Sequence, residues 1–201
     1  MSNFYIADLH LFHAATLKDG HFHERPFTTL DEMHHAIISR WNEVVTNGDT
    51  VYVLGDVSYS AHSMAVSEVI SALKGHLVLI KGNHDKPGDA RIKRQFDEIV
   101  DYKEIVDNVG GVQHKVVLCH YPLFSWKDMF RGAIHLYGHV HDNPDDVLYQ
   151  EAIAKSDRYF AQRDGDRHKP FIAINVGCMR EYMNYQPKTL AQLLAERSAA
   201  A

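Results

Sequence analysis

Five short apolar runs in this chain each end in a polar motif made of aspartate, histidine or asparagine. The runs cover residues 4–7, 51–54, 77–80, 116–119 and 134–137. The motifs that follow are Asp8-Leu9-His10, Gly55-Asp56, Gly82-Asn83-His84-Asp85, His120 ahead of Tyr121-Pro122, and Gly138-His139-Val140-His141. Runs of this length and make-up read as β-strands. In open α/β sheets, ligands bind outside the carboxyl ends of the strands. Five strand ends that each deliver a carboxylate, imidazole or amide therefore imply one site, built from the whole chain.

The segments between the runs supply the helices. Thr29-Leu30-Asp31-Glu32 matches a capping box. It opens a helix whose apolar face is Met33, Ile37, Trp41, Val44 and Val45. A second helix is predicted over residues 63–74, with Gly75 as its stop. Helix and strand alternate through the first half, which favours parallel strands. The second half differs: residues 104–106 and 112–119 flank a hairpin-like turn at 107–111. A mixed sheet, or two sheets, follows. A further helix is predicted over 147–163, then a strand over 171–176 and a short helix from Thr189. No repeat or linker divides the chain, so 1–201 reads as one domain.

Composition narrows the chemistry. Hydrophobic residues make up 45% of the chain, enough for a buried core. The formal net charge of −5 argues against a dedicated duplex-DNA binder. The two cysteines, Cys119 and Cys178, sit in apolar contexts and read as buried thiols of a reduced, cytoplasmic protein. No apolar run approaches the ~20 residues of a membrane span, and no secretory leader is expected.

Carboxylates and imidazoles converging without thiolates suit Mn²⁺, Fe or Zn²⁺ in a two-metal site rather than a structural zinc site. Paired metals clamp the attacking and leaving oxygens of an in-line displacement and lower the pKa of bound water. Taken one at a time, the motifs have plainer readings. Asp8 or Asp56 is a turn residue, Asn83-His84-Asp85 a polar loop, and His139 with His141 a surface pair. It is the ordered set that argues for metal.

That ordered set resembles the calcineurin-like metallophosphoesterase signature, from residue 4 to about Gly177. Arg25-Pro26-Phe27 and Asn175-Val176-Gly177 look most like its small bacterial and phage members. The resemblance implies an α/β fold, a four-layer α/β/β/α sandwich of two mixed sheets flanked by helices. It implies a phosphoric ester hydrolase that uses two divalent ions, Mn²⁺ foremost, and metal-activated water. Asp8, His10, Asp56 and His141 would hold one ion. Asp56, as the bridge, with Asn83, His120 and His139 would hold the other. His84 would face the substrate, and Asp85 would orient its ring.

Other residues are expected around that centre. Arg25 is the best basic candidate for gripping a phosphate, against an ion pair with Glu24 or Asp31. His13 is a candidate for the site rim; His21 and His23 share its loop. His34 and His35 read as surface or boundary residues, His62, His76, His114 and His168 as loop or strand-edge residues, and His135 as packing. The segment 142–170 is expected either to wall the site and set substrate choice, through Tyr149, Tyr159 and Phe160, or only to cover a sheet edge. Only Arg25, Arg131 and Arg180 lie near motif or loop positions, which favours small phosphodiesters over monoesters. A nuclease and a non-catalytic scaffold of the same fold are the competing readings. The complete ligand set with His84 argues against the scaffold.

Overall fold

The computed structural model describes residues 1–18, 24–59, 63–86 and 88–199. His21, His23 and His62 lie outside them. Among the described residues the strands form two sheets. The first has strand order β4-β3-β2-β1-β9, and the second β5-β6-β7-β8. In the first, β1 (Asn3–Ile6), β2 (Thr50–Val53), β3 (His76–Ile80) and β4 (Glu98–Val100) run parallel, and β9 (Lys188–Thr189) is antiparallel. In the second, β5 (Lys103–Val109) pairs antiparallel with β6 (Val112–Leu118). Then β6, β7 (Ile134–Tyr137) and β8 (Ile172–Asn175) run parallel. Both sheets are mixed and flanked by helices, as the motif order implied.

The second sheet shows how side-chain alternation builds layers. Val116, Leu118, Ile134, Leu136 and Ile174 face the first sheet in the main core. Their neighbours Val117, Tyr137 and Ala173 face the other way, into a second cluster with Ile153 and Phe171. This is the period-two rule of a strand buried on both faces. The sheets join at their carboxyl ends, where the Ala7 amide donates to the Val176 carbonyl and the Cys178 amide to the Ala7 carbonyl, both at 2.8 Å.

Helix α1 (Leu30–Val44) starts at its expected cap: Thr29 Oγ1 accepts from the Glu32 amide at 3.1 Å. Met33, Ile37 and Trp41 are fully buried. Helix α2 (Ser63–Ser71) ends sooner than predicted. Its last turn tightens, with Ala72 and Leu73 amides bonding three residues back to Val69 and Ile70. A short helix α3 (Ala90–Lys93) was not foreseen.

Helix α4 (Pro144–Asp164) begins three residues before its expected start, with Pro144 in the first turn, where a missing N–H costs nothing. The segment 142–170 was expected either to wall the site or to cover a sheet edge, and two of its three aromatics pack inward. Ile153, Tyr149 and Phe160 pack on the outer face of the second sheet. Tyr149 Oη donates to the Leu123 carbonyl, and Gln150 bonds Tyr137 and the Ala173 carbonyl. The helix covers a sheet face as a layer of the sandwich, and of the three aromatics only Tyr159 is exposed. Helix α5 (Leu190–Ala199) packs near β9, β1 and β5.

Candidate metal centre

Each parallel strand of the centre hands its motif to a sharp turn. Asp8, His10, Asp56, His139 and His141 all have positive φ, between 47° and 71°. Left-handed backbone at a non-glycine residue costs of order 1–3 kcal/mol and persists only where its surroundings over-determine it. The turns also stack closely. A Cβ on Gly55 would lie 2.4 Å from His120 Nδ1, one on Gly82 2.3 Å from Asp56 Oδ1, and one on Gly138 2.6 Å from Asp8 Oδ2. Glycine at these three places is therefore a packing requirement of the centre itself.

The seven expected donor side chains come to one locality. His10 Nε2 is 3.0 Å from His141 Nε2 and 3.6 Å from Asp56 Oδ2, and His141 Nε2 is 3.7 Å from Asp8 Oδ1. On the other side His120 Nε2 is 3.5 Å from Asp56 Oδ2, and Asn83 Oδ1 lies 3.2 Å from His120 Nε2 and 2.9 Å from His139 Nδ1. Two groups result, Asp8-His10-Asp56-His141 and Asp56-His120-His139, each with donor atoms within 4.8 Å of one another. Asp56 belongs to both. Its Oδ1 accepts the His84 amide at 2.9 Å, and its Oδ2 faces both groups.

The donors fit a metal. Among the described residues, no lysine or arginine ion-pairs with Asp8 or Asp56, although both are buried. Burial and the neighbouring Asp56 hold the Asp8 carboxyl well above its usual range. Burial, with the charge of Arg25, holds His10 below its usual range, and burial with His120 does the same for His139. Neutral imidazoles beside buried carboxylates are the state that a cation would match. His120 shows the tautomer directly: its Nδ1–H donates to the Leu54 carbonyl at 2.8 Å, which leaves the Nε2 lone pair facing Asp56.

The flanking residues divide. His84 is half-buried at the edge of the centre, its Nε2 3.9 Å from Asp56 Oδ2. His13 sits 5.4 Å from His10, ring to ring, and stacks on Tyr59 at 4.1 Å. Two expectations are corrected. Asp85 does not orient the His84 ring. Its carboxylate accepts three backbone amides, Asp56 and Gly82 at 2.8 Å and Val57 at 2.9 Å, and so staples two of the turns together. Burial raises its pKa, and the Gly82 and Val57 bonds oppose the rise. Arg25 is not placed to grip a phosphate. It is 3% exposed, and its two terminal nitrogens donate to the Leu9 and Asp8 carbonyls, each at 2.6 Å. The guanidinium's several donors suit it to bracing a strained turn from behind.

Other residues contribute in ways the sequence did not specify. His34, expected at the surface or boundary, is buried, and its Nε2 accepts the Phe12 amide at 3.1 Å. Asn175 donates to the His141 carbonyl at 2.8 Å. Tyr121 sets its ring against His120 and His139. The exposed Tyr59 lies 4.7 Å from His84. Of the remaining histidines, His35 is exposed. His76 begins β3 and bonds Asp97, and His168 bonds Asp157. His114 lies in β6.

Two mixed sheets whose joined ends carry a buried aspartate–histidine cluster define an α/β protein with a candidate metal centre. The comparisons make this more specific. The calcineurin-like phosphoesterase family model matches residues 4–188, and the chain belongs to that family. An uncharacterized protein of Methanocaldococcus jannaschii is 34% identical over 139 residues, covering 69% of this chain and 68% of its own length. The Gene 66 protein of Mycobacterium phage D29 is 31% identical over 165 residues, covering 70% and 79%. A protein of unknown function from Aquifex aeolicus shares the fold with a TM-score of 0.63 at 22% identity, over 99% of this chain and 98% of its own. Among the described residues, no helix is long and apolar enough to cross a membrane.

Proposed function

We propose that this chain is a metal-dependent phosphoric ester hydrolase with two divalent ions, Mn²⁺ foremost with Fe or Zn²⁺ as alternatives, and that it acts on small phosphodiesters. The observation that carries the reading is Asp56, one carboxylate oxygen of which faces both donor groups, at 3.6 Å from His10 and 3.5 Å from His120. Asp8, His10, Asp56 and His141 would hold one ion. Asp56, Asn83, His120 and His139 would hold the other. Bound there, such a pair clamps the attacking and leaving oxygens and lowers the pKa of coordinated water.

The chain's own residues do the rest. Hydrolysis forms a bond from water oxygen to phosphorus, breaks the bond to the ester oxygen, and delivers a proton to the leaving alcohol. His84, at the edge of the centre, is the group to hydrogen-bond a phosphate oxygen or give that proton. Arg25 and Asp85 act through the backbone and fix the turns that aim the donors. Arg180 is engaged by Asp142 and Asp146, and Arg131 by Asp128. With Arg25 buried as well, few cations remain to meet a monoester dianion, which supports the diester preference. The buried thiols Cys119 and Cys178 and the charge of −5 suit a cytoplasmic enzyme of small esters rather than a duplex binder.

The test is metal content as purified, then activity on mono-, di- and cyclic phosphate esters after chelation and after each metal is restored. Loss on chelation and best recovery with Mn²⁺ are expected. Activity that survives exhaustive chelation would reject the metal mechanism, and bound metal without turnover of any ester would favour the scaffold.

A further inference from the structure

We propose that the cavity beside His84 receives the leaving group of the ester, and that this group is flat and aromatic. The proposal rests on the phosphoesterase reading and deepens it. The cavity has a volume of about 420 Å³ and is lined by His84, Asp85 and Tyr59 together with residues of α2, β3 and α3. His84 therefore belongs to both places. Its ring is 5.6 Å from that of His10, and the same residue forms part of the cavity wall. An ester held at the donor cluster with one oxygen toward His84 carries that oxygen's substituent into the cavity.

Size and lining then choose the substituent. A cavity of this volume is in the range that organic ligands occupy and is far larger than a methyl or hydroxyl group needs. Its floor is Val66, Leu79, Ile92 and Phe96, all apolar and all but Ile92 buried. Among the described residues its charged side chains are Asp85, turned to backbone amides, with Lys86 and Asp89, and Asp89 is already engaged by the Arg91 amide at 2.8 Å. A polynucleotide strand would ask for a row of cations along its backbone. Among the described residues the lining offers one lysine. At the mouth, Tyr59 is 53% exposed and already stacks on His13 with 12° between the rings. A flat group entering beside His84 meets that aromatic edge and an apolar floor, the pairing that aromatic ligands favour.

Two measurements test this on the full chain. The first compares kcat/KM for methyl 2-naphthyl phosphate and methyl 2,2,2-trifluoroethyl phosphate in wild type and in Ile92→Trp, which fills the cavity away from the donors. A lost or blocked pocket contact changes discrimination by roughly tenfold or more. The naphthyl ester should lose that much, and the trifluoroethyl ester should stay within about twofold, because it does not reach the floor. Should the tryptophan variant not fold, Ile92→Ala should lose the same selectivity through the missing contact. The second titrates 2-naphthol into methyl-labelled protein, with and without chelator. Methyl signals of Val66, Leu79 and Ile92 should shift, and Ile153, in the other core cluster, should not. Equal losses for both esters, or no shift at those methyls in a protein that hydrolyses esters, would overturn the pocket alone. Naphthol binding with no ester hydrolysed under any metal would overturn the leaving-group role through the phosphoesterase reading itself.

Discussion

The two halves of the donor cluster are built differently. Around Asp8, His10 and His141 everything is enclosed: these residues are 0%, 2% and 3% exposed. All three adopt left-handed backbone, and the turns are braced from behind by Arg25 at the Asp8 and Leu9 carbonyls, Cys178 at the Asp8 carbonyl and Asn175 at the His141 carbonyl. On the other half, apart from the shared Asp56, only His120 is fully enclosed. His139 is half-buried and Asn83 is exposed. His84 and the aromatic faces of Tyr59 and Tyr121 stand on this side or between the halves. Left-handed backbone is common to both halves, since His139 has φ 71°, but the fold encloses and braces one half and leaves the other to meet the substrate. The enclosed half should hold its ion more tightly, and the open half should set what reacts.

The largest effect should come from Asp56→Asn, because Asp56 belongs to both halves. The substitution keeps an oxygen for the His84 amide and removes the charge that both groups share. Metal content should fall for both positions, and ester turnover should fall to background, as read by elemental analysis and assay on the same sample. Retention of two ions would break the shared-carboxylate picture. Next is His84→Ala, which removes none of the expected donors. A positioned acid or hydrogen-bond donor contributes typically ~10²–10⁴-fold. Turnover should drop by that range with metal stoichiometry unchanged. Metal loss in this variant would make His84 a ligand.

Much of this was legible in the sequence, for a physical reason. A parallel strand buried on both faces is an unbroken apolar run, so its end is visible. The run at 134–137 coincides with β7, and the other four lie within a few residues of their strands. The short elements escaped: α3 and β4 have four and three residues and no fully buried side chain, so they leave no periodicity to read. At the centre, residue type announced the donors, because few other uses require carboxylate, amide and imidazole after successive strands. Partners were not legible. Asp85 and Arg25 carry the right charges for orienting a histidine and holding a phosphate. Yet both serve backbone groups that only the folded turns bring together. Which hydrogen bond a buried charge makes is decided by the three-dimensional path of the main chain.

Arg25→Met probes the brace of the enclosed half. It removes two short charge-assisted bonds, leaving the buried Leu9 carbonyl without its Arg25 donor and the Asp8 carbonyl with the weak Cys178 thiol donor, at about 1–3 kcal/mol for an unsatisfied group. Urea unfolding should show a loss of about 3 kcal/mol. The ion of the Asp8 half should be lost at lower chelator concentration than in wild type. A variant with unchanged midpoint and metal affinity but a raised KM would return Arg25 to the role of substrate contact.

The smallest effect concerns a histidine that is as buried as the donors and belongs to neither half. His135 is fully enclosed, but both of its ring nitrogens have backbone partners: Nδ1–H donates to the Val117 carbonyl at 3.2 Å, and Nε2, which also lies 3.2 Å from the Tyr121 carbonyl, accepts the Leu123 amide at 3.1 Å in the neutral ring. His120 uses one nitrogen in this way and keeps the other lone pair for the centre, and that difference separates a ligand from a packing residue. Burial lowers the His135 pKa from 6.5 to about 4, against the opposing effect of the backbone bonds at Val117 and Tyr121. The unfolded chain therefore takes up a proton near pH 6.5, and the folded chain does not until about pH 4. The stability from the neutral ring is complete above pH 6.5 and is lost as pH falls toward 4, by up to about 1.4 kcal/mol per pH unit. His135→Gln can keep both backbone bonds and cannot titrate. Urea midpoints of the chelated proteins should converge with wild type at neutral pH, and the variant should become relatively more stable as pH drops through that window. Parallel curves from pH 7 to pH 5 would mean that the ring takes up its proton at the same pH in the folded and unfolded chains, and that Nε2 can turn donor to the Tyr121 carbonyl without loss of stability.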